Sequence, residues 1–219
     1  MKKTKQYAVI GLGRFGTSVA TTLNKMGYEV LAIDNDEERV QEFSNEVTHV
    51  VQADTTDEDT LKALGIRNFD VVIVAIGADV QANILTTLLL KELGVPYIVA
   101  KANNKLHGKM LEKLGADRVV FPERDMGQRV AHNLISSTIM DYIELSPELN
   151  IMEIHVPQFI VGKTLVQTEL RAKFGINVVA IKRGDHIIVT PFPSEKIIDQ
   201  DILVVVGSIK GIQSLEEFT

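Results

Sequence analysis

A glycine pattern near the N-terminus constrains this chain more than any other feature. Gly11-Leu12-Gly13-Arg14-Phe15-Gly16 reads G-x-G-x-x-G, preceded by the short apolar run of residues 6–11 and followed by helical spacing over residues 17–26. Asp34 closes the next apolar run, residues 29–34, 18 residues beyond Gly16. Strand, glycine turn, helix, strand and terminal carboxylate in that order form the dinucleotide-binding fingerprint of a Rossmann-like sheet. Gly11 permits the tight turn, Gly13 lets backbone N–H groups approach a pyrophosphate, and Gly16 lets the helix sit close to the sheet. The helix N-terminus adds partial positive charge. The Asp34 carboxylate suits ribose hydroxyls and repels a 2′-phosphate, which disfavours NADP. A glycine-rich turn without a ligand is the bland alternative.

The alternation of strand and helix continues. Residues 37–47, 57–64, 81–93 and 105–114 carry helical patterns, and residues 49–53, 70–76, 97–100 and 118–121 are strand-like. The run DVVIVAI at 70–76 is apolar on both faces, as in a buried parallel sheet. Six strands joined by short crossovers predict a doubly wound parallel sheet, an α/β fold. Residues 125–145 then read as one long helix with a wide apolar stripe: Met126, Val130, Leu134, Ile135, Ile139, Met140, Ile143 and Leu145. Such a stripe exceeds what one small domain covers and predicts a subunit contact. After Ser146-Pro147 comes a smaller α+β unit, with strands at 152–156, 178–182, 186–190 and 202–206 and a short helix at 168–174. Arg183-Gly184-Asp185 is its hairpin turn. A unit of about 70 residues is small for an independent core, so it is expected to pair with a copy of itself.

Further candidates fall at the carboxyl ends of the strands, where ligands bind in this architecture. Arg14 in the first turn of a helix opposes the macrodipole unless a highly charged phosphate sits there, which favours a nucleotide di- or triphosphate over NAD; a solvated surface arginine is the alternative. Phe15, within the glycine pattern, and Asn35, next to Asp34, are further candidate cofactor-binding residues. Asp54 and Thr55 follow the third strand and either meet the adenine or cap the next helix. Ile76 and Gly77 end the fourth strand, and Gly77 lets backbone approach the ligand. Lys101 and Glu123 close the fifth and sixth strands. Lys101 can meet a phosphate directly. Glu123 either is ion-paired or solvated, or reaches a phosphate through a cation such as Mg²⁺ or Ca²⁺.

Composition removes whole classes of function. The net charge of −6 and a sequence pI near 5.4 oppose binding to nucleic acid or to anionic lipid. The absence of cysteine removes disulfides, thiolate metal sites and thiol catalysis. No apolar run approaches the roughly 20 residues of a membrane span, and the N-terminus lacks the apolar length of a signal peptide, so a cytoplasmic chain is expected. The five histidines are scattered without metal-ligand spacing, and no nucleophile elbow or phosphate-loop lysine motif occurs. The site binds a nucleotide and nothing is placed to react with it, so no enzyme is expected. Two alternatives are a small NAD-dependent oxidoreductase, which needs an acid or base over the nicotinamide, and an NAD(H)-sensing repressor, which needs a basic helix-turn-helix.

The segments VIGLGRFG, AIDNDEERV, QADTTDEDTLKALGI, VVIVAIGAD and AKANN resemble the RCK (KTN, TrkA-N) domain. The stretch from VGKTLVQTELRAKFG to DILVVVG resembles its RCK-C (TrkA-C) companion. Together these cover essentially the whole chain, in the order and at the length of the cytosolic regulatory subunits of bacterial Ktr potassium uptake systems. The resemblance implies an RCK-N domain at 1–124, a crossover and dimerisation helix at 125–145 and an RCK-C lobe at 146–219. It implies a homo-octameric ring of dimers, peripheral at the inner face of the cell membrane under a potassium-transporting subunit of the KtrB/KtrD type. It implies that ATP and ADP gate that ring from the N-lobes, that Arg14 reaches the nucleotide phosphates, and that Lys101 and Glu123 line a phosphate and divalent-cation site between subunits. The resemblance further implies inhibition by cyclic di-AMP through the C-lobe, at Leu165, Val166, Arg171, Asn177 and Pro191.

Overall fold

The computed structural model describes residues 5–135, 139–146 and 148–216. The chain divides into two compact units, residues 1–124 and 125–219.

The first unit is a six-stranded parallel sheet in the order β3-β2-β1-β4-β5-β6. Its strands are β1 (Gln6–Ile10), β2 (Glu29–Asp34), β3 (His49–Gln52), β4 (Val71–Val74), β5 (Ile98–Lys101) and β6 (Arg118–Val120). The helices between them are α1 (Arg14–Lys25), α2 (Glu37–Phe43), α3 (Glu58–Ala63), α4 (Val80–Glu92) and α5 (Lys105–Lys113). Alternate residues of each strand feed two separate cores, because strand side chains point to opposite faces in turn. Ala8, Ile10, Ile33, Val72 and Val74 pack with Leu61, Leu90 and Leu111 from α3, α4 and α5. Val9, Ala32 and Ile73 pack on the opposite face with Ala20 and Phe43 from α1 and α2. This two-sided burial is why the strands read as continuous apolar runs. Strand order reverses between β1 and β4, which opens a crevice at their carboxyl ends.

α6 (Pro122–Ile135) begins at the end of the first unit. The long helix expected over residues 125–145 is not formed: α6 ends at Ile135, and Ile139–Ser146 is a strand, β7. The apolar positions Ile139, Met140, Ile143 and Leu145 fit a strand as well as a helix, and hairpin pairing with the next strand supplies ladder hydrogen bonds that settle the matter. The stripe is therefore split between a helix and a strand. Met126, Val130 and Leu134 on the helix, and Met140, Ile143 and Leu145 on the strand, are all exposed. The side chains of Ile135, Ile139 and His132, and the whole of Pro147, lie outside the described residues.

The second unit is an antiparallel sheet in the order β10-β9-β11-β8-β7, with β8 (Leu149–His155), β9 (Asn177–Arg183), β10 (His186–Val189) and β11 (Ile202–Gly207). α7 (Leu165–Thr168), α8 (Leu170–Phe174) and α9 (Ile209–Glu216) complete it. Every second residue of β11 is buried, and Leu203 and Val205 pack with Met152, Ile154, Leu170 and Ile212.

Candidate functional site

The glycine loop is shaped by contacts no larger residue can make. Gly11 lies at φ +99°, and a Cβ there would fall 2.9 Å from the Ile76 nitrogen. A Cβ on Gly16 would fall 1.8 Å from the Gly11 carbonyl oxygen. Gly13 differs: a Cβ there meets no protein atom within 4 Å. The space beside Gly13 is thus left open. Side chains of Asp36, Asp57, Asp79 and Asn104 cap α2, α3, α4 and α5, whereas Gly13 provides α1 with no side-chain cap. The first-turn N–H groups of α1 are left for water or an anion.

These elements surround a cavity of about 800 Å³ at the carboxyl edge of the sheet. Gly11, Gly13, Arg14, Phe15, Asp34, Asn35, Asp54, Thr55, Ile76, Gly77, Lys101 and Glu123 all line it; Gly16 does not, and packs against Gly11 and Ala75. Among the described residues, no histidine lines it.

Asp34 is 5% exposed. Its Oδ2 accepts from the Leu12 N–H at 2.6 Å and its Oδ1 from the Asp36 N–H at 3.0 Å. Those bonds fix the carboxylate against the glycine loop and leave acceptor capacity toward the cavity. Arg39, which also lines the cavity, stands 3.6 Å from the same carboxylate. The sequence reading missed Arg39; its position five residues past Asp34 was the available signal. Asp54 accepts from the Thr56 N–H and hydroxyl, at 2.9 and 2.6 Å, so it shapes its own turn, while Asp57 caps α3.

At the other end, Lys101 ends β5 and Glu123 lies in the first turn of α6, three residues past β6 instead of at its end. Lys101 Nζ meets Glu123 Oε1 at 2.6 Å. The Lys101 hydrogen bond holds the Glu123 carboxyl below the ordinary carboxylate range, and the charge of Arg14 adds to this. Lysine, glutamate and arginine thus gather at one end of the cavity. Among the described residues no group of three or more His, Asp or Glu side chains could hold a metal ion. One carboxylate already bonded to a lysine does not make a divalent-cation site by itself.

In the second unit a cavity of about 470 Å³ is lined by Leu165, Val166, Arg171, Asn177 and Pro191, with Glu169 and Pro193 among the others. The five residues singled out there come together from α7, α8, β9 and the loop after β10. Thr190, entering that loop, and Glu169 both adopt positive φ, 49° and 53°. His155 and His186 are exposed strand residues and line neither cavity.

Fold and site together define a two-unit RCK-type protein, and the chain belongs to the TrkA-N/TrkA-C domain family: it matches the TrkA-N domain over residues 7–122 and the TrkA-C domain over residues 151–219. It is similar to Ktr system potassium uptake protein C of Bacillus subtilis (strain 168), 53% identical over 213 residues that make up 97% of this chain and 96% of that one. Among solved structures it resembles the GsuK channel bound to NAD (27% identity, TM-score 0.56), matching over 98% of this chain and 38% of that one. It also resembles GsuK bound to ADP (32% identity, TM-score 0.52), over 60% of this chain and 34% of that one. The chain thus spans well under half the length of these solved chains. Among the described residues, no helix is long and apolar enough to cross a membrane.

Proposed function

We propose that this chain is the nucleotide-gated regulatory subunit of a Ktr-type potassium uptake system, peripheral to the membrane through a potassium-transporting partner, and not an enzyme. One observation carries the reading: a single cavity joins a glycine phosphate cradle and a ribose carboxylate to a cluster of Arg14, Lys101 and Glu123. ATP and ADP share the cradle and the ribose contact. They differ at the γ-phosphate, where Arg14 and Lys101 supply positive charge. A ligand shifts an assembly only through different affinities for its two shapes, and the γ-phosphate provides that difference. The assembly in this reading is a homo-octameric ring of dimers. The exposed Met126, Val130 and Leu134 support such association.

Titration calorimetry of ATP, ADP, NADH and cyclic di-AMP against the full chain, with its mass in solution, tests this reading. ATP and ADP are expected to bind, and Arg14→Ala is expected to weaken ATP about tenfold more than ADP, ~1.4 kcal/mol. A monomer indifferent to adenylates would sink the proposal. NAD(H) sensing is the second reading, favoured by the likeness to a channel solved with NAD; NADH binding more tightly than ATP would establish it instead.

A divalent cation enters this reading only as a bridge, with nucleotide phosphate oxygens supplying the ligands that Glu123 lacks. Glu123→Gln is then expected to abolish any Mg²⁺ or Ca²⁺ dependence of ATP affinity, and an unchanged dependence clears Glu123 of the role. In the C-terminal cavity the reading places cyclic di-AMP, an anion with two adenines, against Arg171 and the apolar Leu165, Val166 and Pro191, shared between two copies of the lobe. Calorimetry detects that binding directly.

A further inference from the structure

α4 carries a buried polar row behind the nucleotide cavity. Asn83 and Thr86 are both 0% exposed and neither lines the cavity. Asn83 Nδ2 donates to the Ile76 carbonyl at 2.6 Å and to the Lys101 carbonyl at 3.1 Å, tying together the chain ends that leave β4 and β5. Its Oδ1 is buried without a hydrogen-bond partner. Thr86 Oγ1 donates to the Thr55 carbonyl at 3.2 Å and lies 3.0 Å from the Thr55 hydroxyl. Asn and Thr are weak helix formers, and a buried orphan oxygen is costly, so neither residue is explained by helix stability or packing. What they hold are backbone groups on two sides of one cavity. Ile76 precedes Gly77, beside which Lys101 Nζ lies, and Lys101 reaches Glu123. Thr55, past the end of β3, lines the same cavity on the other side of the β1–β4 crevice.

We propose that Asn83 and Thr86 are positioning residues that set the two ends of the nucleotide cavity separately: Asn83 the polyphosphate end, through Ile76 and Lys101, and Thr86 the adenosine end, through Thr55. The inference rests on the reading of this cavity as an adenine-nucleotide site. One rigid helix thereby keeps the spacing between the two ends matched to the ligand, because its bonds to both sides are made one turn apart.

AMP, ADP and ATP are titrated against the full wild-type chain and against Asn83→Leu, Thr86→Val and Thr86→Ser, with melting temperatures recorded alongside. Asn83→Leu is expected to weaken ADP and ATP about tenfold and AMP less than about twofold. Thr86→Val is expected to weaken all three by one common factor of about five, and Thr86→Ser, which keeps the hydroxyl, to bind like wild type. If Asn83→Leu does not fold, Asn83→Ser, whose shorter hydroxyl reaches at most one of the two carbonyls, replaces it with the same expected pattern. Loss of melting temperature with equal weakening of all three nucleotides by the position-83 variant makes Asn83 merely structural and overturns the inference. Failure of the wild type to bind any adenylate overturns the nucleotide-site reading and this inference with it.

Discussion

Gly16→Ala is expected to unfold the N-terminal unit or leave it barely stable, while Gly13→Ala folds normally and loses its nucleotide. The two glycines lie three residues apart in one motif, yet the added methyl group meets different surroundings. At Gly16 it would sit 1.8 Å from the Gly11 carbonyl oxygen and 3.2 Å from the Ala75 Cβ, both on fixed elements of the sheet edge. Overpacking against backbone cannot be relieved by a rotamer change, so a cost of about 3 kcal/mol or more is expected. At Gly13 the backbone is extended (φ −76°, ψ −177°), which any residue adopts, and the methyl group meets nothing within 4 Å. The stability change there is expected to stay below about 1 kcal/mol. If the proposed phosphate site is right, the methyl group instead fills the space it needs, and ATP affinity should fall about tenfold or more. Urea denaturation and calorimetry on the two variants separate these outcomes. Gly13→Ala binding ATP like wild type would mean that the phosphates do not lie against the loop.

Asp201→Ala is expected to remove the strongest polar support of the C-terminal unit. The Asp201 carboxylate is 1% exposed and takes a two-pronged bond from Arg183, Nε to Oδ1 at 2.8 Å and Nη2 to Oδ2 at 2.9 Å. The Ile198 N–H adds a third at 3.0 Å. Arg183 also reaches Glu195 at 3.1 Å and the Lys196 carbonyl at 2.9 Å. That network pins the irregular segment after β10, whose Pro193 and Glu195 carbonyls accept from the Val166 and Leu165 N–H groups of α7. Removing one partner of a buried pair costs about 3–5 kcal/mol; the Arg183 side chain retains 32% exposure, so the lower end of that range applies. Burial alone would raise the Asp201 carboxyl, but the Arg183 bonds, the Ile198 N–H and the Arg183 charge outweigh it and bring it below the ordinary value. A carboxyl depressed in the folded state stabilises fully above its unfolded value, about pH 4, and loses that contribution as pH falls through the folded value. Urea midpoints of the wild type should therefore drop below about pH 4, and Asp201→Ala should flatten that part of the acid slope. A loss below about 1 kcal/mol at neutral pH would show that water replaces the carboxylate cheaply.

One end of the cavity was legible because it is built from residues close to the glycine motif. Strand, turn and helix around Gly11, Gly13 and Gly16 follow from local pattern, and Asp34 follows from the length of one βαβ unit. Lys101 was legible as a strand-end position, whereas Glu123 was placed three residues too early, and their 2.6 Å pairing was not legible, since β5 and α6 meet only in the folded sheet. Arg39 was overlooked because it sits in a helix that otherwise reads as a solvated face. Asn83 and Thr86 were hidden for the opposite reason: α4 is apolar on most sides, and nothing local shows that two of its polar residues point inward. The expected helix over residues 125–145 failed where two periodicities overlap. Ile139–Ser146 carries apolar residues that suit a helix or a strand, and pairing with β8 decided for the strand.

The sequence alone determined the order of strands and helices in the N-terminal unit, the glycine loop and the carboxylate that closes β2. These depend on local conformational preference and on periodicity, both written in neighbouring residues. Tertiary structure decided which distant groups share the cavity: the Lys101–Glu123 pair, Arg39 beside Asp34, and the α4 bonds behind both cavity ends. It also decided the pinning of the segment after β10 by Arg183 and Asp201. Such contacts join residues far apart in the chain, and their geometry is fixed only when strands pair side by side and bury the groups between them.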